Sequence, residues 1–218
     1  MLQLAIDPLS IDKLIPQLSQ SVTNYHYGRR IELKESIASG YIKELRLDGK
    51  TKATLCSYTT NTRFNQQSSF TDEQLYILYF IEVSSTNHYQ MGLNGASLDL
   101  APGKRQMICL LRHNDTVELS GEPGINFKIF KIMLDANSVL KAPGYSGISK
   151  SILTKYFEIG SGRLGLVPFN EKFNHLVSII ANTEDNIFYL AAAEKIIDTI
   201  TSYFFKKLSI KMQQLQTV

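Results

Sequence analysis

The sequence contains no tryptophan, two cysteines, four histidines and six prolines among 218 residues, and it has no uninterrupted apolar run long enough to span a membrane. Two cysteines in a chain of this length, Cys56 and Cys109, read as reduced thiols within apolar runs and not as a disulfide framework. The amino terminus MLQLAIDPLS lacks a basic stretch ahead of an apolar segment, so no export signal is read and a cytoplasmic location is expected. Charge of one sign is also scarce. A net +3 falls well short of the basic face that a phosphate-gripping domain needs, which disfavours direct nucleic-acid binding by this chain. What is present, 44% apolar and 20% charged residues, is enough for one sizeable core. No internal repeat or low-complexity tract interrupts it.

Chemistry-bearing motifs are equally sparse. A metal centre needs imidazoles and a carboxylate converging on one ion, yet His26, His88, His113 and His175 are scattered without an H-x-H pair. The serine elbow G-x-S-x-G is absent; Gly144-Tyr145-Ser146-Gly147 and Gly160-Ser161-Gly162 read as loop glycines. Neither a phosphate-cradling loop nor a dinucleotide fingerprint occurs. Glu32, Glu35 and Glu44 fall among lysines and arginines and read as a solvated face. The expectation is therefore no catalytic residue, no metal, no cofactor and no enzyme.

Hydrophobic periodicity divides the chain near residue 136, where the spacing of apolar residues changes from about two to about 3.6. Residues 1–40 read as an amino-terminal arm with a short amphipathic helix over Leu9, Ile11, Leu14, Ile15 and Leu18, capped by Ser10 and limited by Pro16. Residues 41–135 contain predicted strands at 41–47, 52–59, 75–83, 89–93, 106–112, 116–119 and 127–134. Turn signals at Asp48-Gly49, Asn94-Gly95 and Pro102-Gly103 separate them. The run LYILYFIEV is apolar on both faces, as in a strand covered from both sides. Residues 136–168 form a glycine-rich connection with one short helix around Ile152, Leu153, Tyr156 and Phe157. Residues 169–210 read as a helical tail: Phe173, Leu176, Val177 and Ile180 on one helix, a break at Asn182, Thr183 and Asp185, then a second helix. On that helix Ala193, Ile196, Ile197, Ile200, Tyr203 and Phe204 make one broad apolar stripe.

Binding is the function that remains. Tyr58, Phe64, Tyr76, Tyr79, Phe80, Tyr89 and Met91 concentrate aromatic and soft side chains on strands, and they are the candidate ligand-binding residues, with plain core as the competing reading. Arg105, Arg112 and His113 stand beside turns as possible rim handles for an anionic or hydroxylated ligand.

The order of elements from Lys52 to Leu208, and the stretch NHYQMGLNGASLDLAPGKRQMICLL in particular, resembles the ligand-sensing and dimerisation half of AraC-type transcription regulators. FKIFKIML followed by helices fits the same pattern. The resemblance implies the fold class α+β: a cupin-like (jelly-roll) antiparallel β-barrel followed by a C-terminal helical hairpin. It also implies an unidentified small-molecule effector in the barrel and a homodimer through the tail, with Ala193, Ile196, Ile200, Tyr203 and Phe204 as the dimer interface, the competing reading being that this stripe packs on the chain's own barrel or on the Phe173 helix. The family continues into two helix-turn-helix units, whereas this sequence ends at KMQQLQTV. DNA is then reached only through a domain absent here, and truncation of a longer regulator is the expectation. Two other readings remain open. One is a stand-alone cupin-like binding protein or metal-dependent enzyme. The other is a cyclic-nucleotide-type sensor, for which Gly121-Glu122-Pro123-Gly124 lacks a following arginine.

Overall fold

The computed structural model describes residues 2–5, 22–26, 30–46, 52–69, 73–135, 139, 150–159, 175–176, 178–180 and 187–214. The expected helix at residues 9–18, the Asp48-Gly49 turn, most of the glycine-rich connection, Phe173, Val177 and the break at 182–185 lie outside the described residues. Twelve strands are described: β1 Leu2–Ala5, β2 Val22–His26, β3 Arg30–Leu33, β4 Ala38–Arg46, β5 Lys52–Thr60, β6 Phe64–Ser69, β7 Leu75–Ser85, β8 Tyr89–Leu93, β9 Ala96–Leu100, β10 Gly103–Leu111, β11 Thr116–Gly121 and β12 Asn126–Asp135. Two helices with both ends among the described residues follow, α1 Lys150–Glu158 and α2 Ile187–Gln214, and 175–176 and 178–180 are helical too. None of the described helices is long and apolar enough to cross a membrane.

The strands form two sheets, one ordered β1-β6-β11-β8-β9 and the other β10-β7-β12-β5-β4-β3-β2. All described pairings are antiparallel except that of β1 with β6. The expected jelly-roll is described as two mainly antiparallel sheets packed face to face, and no strand pairing joins them among the described residues. The expected arm at 1–40 already contributes β1, β2, β3 and the start of β4. Asn94 and Gly95 both take positive φ, 54° and 79°, which makes the β8–β9 connection the tight hairpin its sequence predicts.

Period-two alternation gives the larger sheet two buried faces. Ile77, Tyr79, Ile81 and Val83 of β7 point toward the other sheet, together with Cys109, Phe127 and Ile129. Leu78 and Phe80 point the opposite way and join Ile108, Leu110, Phe130 and Ile132 beneath the helices. This double coverage is why LYILYFIEV is apolar at every position. From α1, Ile152, Leu153, Tyr156 and Phe157 cover the outer face, and the Leu110 amide donates to the Tyr156 hydroxyl at 2.7 Å. Ala193, Ile197, Ile200, Phe204, Phe205, Leu208 and Met212 of α2 belong to the same outer core.

Candidate functional site

The interior between the sheets is apolar except for one polar strip. Register across the larger sheet sets Glu44 opposite Thr54, Thr54 opposite Lys131, Lys131 opposite Tyr79, and Tyr79 opposite Cys109. Each residue shares strand parity with inward-facing neighbours, so all five belong to the inner face. Glu44 is 2% exposed and Lys131 1% exposed. Glu44 is thus not part of a solvated face as the charged segment suggested, because its parity follows inward Ala38 and Ile42. Glu35 is exposed, and Glu32 accepts from Arg30 Nε at 2.6 Å.

The smaller sheet answers this strip with β6, whose inward residues Phe64, Gln66 and Ser68 are buried and whose Asn65, Gln67 and Ser69 are exposed. The Tyr58 hydroxyl donates to Gln66 Oε1 at 2.5 Å, and Gln66 Nε2 donates to Ser68 Oγ at 3.4 Å. The Lys131 ammonium lies 5.1 Å from the centroid of the Tyr79 ring. Among the described residues the buried Tyr89 hydroxyl has no hydrogen-bond partner, and the buried Tyr79 hydroxyl has only an interaction with Ser68 that falls short of full hydrogen-bond geometry. An unsatisfied buried polar group costs about 1–3 kcal/mol, and proteins seldom keep one without a use.

Burial governs the electrostatics. It pushes the Tyr79 hydroxyl far above the ordinary tyrosine range, the Cys56 and Cys109 thiols add to the rise, and the Ser68 hydroxyl tempers it. Burial raises Tyr58 too, reinforced by Cys56 and Tyr79. The Cys56 thiol is raised by burial against the opposing positive charge of Lys131. These groups are therefore neutral donors and acceptors at neutral pH, suited to hydrogen bonding.

Of the seven candidate ligand residues, Tyr58, Phe64, Tyr79, Tyr89 and Met91 share the inner core. Tyr76 and Phe80 do not. They sit on the outer face of β7, with Tyr76 stacked on Phe157 at 5.8 Å and Phe80 on Phe130 at 6.0 Å, because they are out of phase with Tyr79. Arg112 covers the Phe157 ring at 4.8 Å and His113 lies 3.6 Å from Glu73, while Arg105 is exposed at the inner-face end of β10. Among the five tail residues, Ala193, Ile200 and Phe204 are at most 1% exposed against the chain's own sheet, whereas Ile196 and Tyr203 are only half-buried. Lys131, Gln66 and Ser68 were missed by sequence reasoning. The signal for Lys131 was its phase, in step with Phe127, Ile129 and Met133 of β12. No group of three or more histidine, cysteine, aspartate or glutamate residues is placed to hold a metal among the described residues.

A scan against protein-family models finds no match, and neither does a search of curated protein sequences. Solved structures do match in shape over about half of the chain. The cupin domain of Schizosaccharomyces pombe Cnp3 is similar over 45% of this chain and 67% of its own, at 5% identity and a TM-score of 0.32. A protein of Photorhabdus luminescens is similar over 55% and 91%, at 12% identity and a TM-score of 0.32. The cupin domain of an XRE family transcriptional regulator from Enterobacter cloacae is similar over 42% and 92%, at 12% identity and a TM-score of 0.29.

Proposed function

We propose that this chain is the cytoplasmic sensor module of an AraC-type transcription regulator, which holds a small hydroxylated or polar effector between its sheets and catalyses no reaction. The observation that carries the reading is the buried Tyr79 hydroxyl, which interacts with Ser68 but has no partner at full hydrogen-bond geometry among the described residues. An effector hydroxyl or carbonyl supplies the missing partner. Tyr58, Gln66, Ser68 and Lys131 surround it with further donors and acceptors. The raised pKa values of Tyr58, Tyr79 and Cys56 support a non-catalytic role, since each group is held away from its nucleophilic or basic form.

The test is retention of small molecules from a bacterial extract by the purified chain, read by mass spectrometry, beside Tyr79→Phe. At least one species enriched by the wild type and lost in the variant is expected. Identical spectra from two equally folded proteins would refute the reading.

Signalling through such a module needs a second copy, and α2 offers a surface for it in the proposal. With the buried stripe spent on its own sheet, Ile196, Tyr203 and Ile210 recur every seven residues along the flank, Ile210 being 44% exposed. Glu194 and Asp198, partly offset by Lys195, leave one end of the helix with a net negative charge, and Lys206, Lys207 and Lys211 lie toward the other, so antiparallel pairing brings opposite net charges together. Sedimentation of Ile210→Asp beside the wild type tests this: a wild-type dimer converted to a folded monomer is expected, and a wild-type monomer refutes it.

A further inference from the structure

A second polar feature lies at the edge of the sandwich, away from Lys131. β9 is the edge of one sheet and β10 the edge of the other, and residues 101–102 join them, so the two sheets part at this corner. On β10, Arg105 stands opposite Val83, an inward residue of β7, and keeps step with inward Met107 and Cys109. Arg105 therefore belongs to the inner face, at its exposed end. On the facing sheet Tyr89 stands opposite Leu100 of β9 and Gly121 of β11. Tyr89 is 2% exposed and its hydroxyl has no hydrogen-bond partner among the described residues. The Arg105 charge reaches that hydroxyl and opposes the rise that burial imposes on it. Apolar surface adjoins both: Leu98, opposite inward Met91, is 41% exposed, Leu100 is half-buried against the inner core, and Met107 is 8% exposed.

A guanidinium and an unsatisfied hydroxyl, set on facing sheets beside exposed leucine, fit a ligand with an acid group on an apolar body. We infer that the corner between β8, β9 and β10 reads an anionic head, carboxylate or phosphate, through Arg105 and the Tyr89 hydroxyl, with the apolar part of the ligand against Leu98, Leu100 and Met107. This rests on the reading of the sandwich as a small-molecule binder and adds the class of molecule. Arg105 supplies charge and paired donors, and the tyrosine hydroxyl supplies one short donor that water does not reach.

The experiment uses two fluorescent probes of nearly the same shape, anilinonaphthalene sulfonate, which is anionic, and N-phenyl-naphthylamine, which is neutral. Loss of a charged hydrogen bond is worth about tenfold in affinity. Arg105→Gln is expected to weaken the sulfonate about tenfold and leave the neutral probe unchanged. Tyr89→Phe is expected to weaken the sulfonate less, with no fall in thermal midpoint, because the hydroxyl it removes has no partner to lose. Benzoate or phenyl phosphate is expected to displace the sulfonate, the better competitor identifying the preferred acid, and benzyl alcohol is not. Equal effects of Arg105→Gln on both probes, or displacement by benzyl alcohol as readily as by the acids, overturns the proposal. If that happens while small-molecule retention still depends on Tyr79, the acid-reading corner fails and the binding module stands. If neither probe binds the folded wild type and retention is also lost, both fail.

Discussion

Truncating Phe204 to alanine tests which partner the tail helix has chosen. Phe204 is 1% exposed within the single chain, packs edge-on against Phe205 at 5.3 Å between centroids, and shares a core with Phe80, Phe130 and Leu208. Removing a buried phenyl ring costs about 3–5 kcal/mol, the larger values applying where the site cannot collapse. A neighbourhood built on a β-sheet and two helices is stiff, so about 4 kcal/mol is the expectation. At a urea m-value of about 2 kcal/mol/M this is a midpoint lowered by about 2 M, and in heat a fall on the order of 10 °C. The assay is urea unfolding of Phe204→Ala and wild type at two protein concentrations well apart. Because the ring packs on its own sheet, the loss is expected to be the same at both concentrations. A cost below about 1 kcal/mol, or a loss that shrinks as the protein is diluted, refutes the intramolecular packing and moves Phe204 to a subunit interface.

Three further outcomes are expected. Cys56 and Cys109 are buried, and burial raises the Cys56 thiol, so a thiol reagent is expected to label neither in native protein and both in denaturant; rapid native labelling would contradict the closed interior. Gly40 has φ of 142° and stands against Tyr58 and the Ser57 carbonyl, so Gly40→Ala is expected to lower stability by about 2 kcal/mol or more in thermal unfolding, and a neutral result would refute that close approach. Burial alone would raise Glu82, but hydrogen bonds from Gln106 and Lys104 and the charges of Lys104 and Lys128 outweigh it, leaving its carboxyl below the ordinary value. A depressed carboxylate stabilises the fold above the unfolded pKa and loses that contribution as pH falls through the folded one. Urea midpoints are therefore expected to fall less steeply below about pH 4 in Glu82→Gln than in the wild type.

How much of this was legible in the sequence follows from what each residue is made to face. β7 and β12 were read nearly to their ends because both faces are apolar, β10 only over its apolar part because Gly103, Lys104 and Arg105 are exposed, and α1 and α2 because their stripes repeat at the helical period. β6 was not read, and the reason is chemical. FNQQSS carries glutamine and serine at inward positions, where a strand search expects leucine or valine, so its alternation of buried and exposed residues has no hydrophobic signature. β9 went unread because it is a short edge strand: its phase is carried by Leu98 and Leu100 alone, and four of its five residues are exposed. For the tail helix, periodicity gave the stripe but not its partner, because a helix face that fits a second subunit and one that fits a sheet have the same spacing. Tyr76 and Phe80 were grouped with Tyr79 by composition although strand parity separates them, and the same parity would have put Lys131 inside. The strand that eluded hydrophobic pattern therefore lies opposite the one lysine whose phase was overlooked. A polar interior is what a binding site requires, and it is also what removes the pattern by which a strand is found. In this fold the failure of the hydrophobic code at β6 and at Lys131 marks one location, and Tyr79 stands there, its ring beneath the Lys131 ammonium and its hydroxyl beside Ser68 of β6.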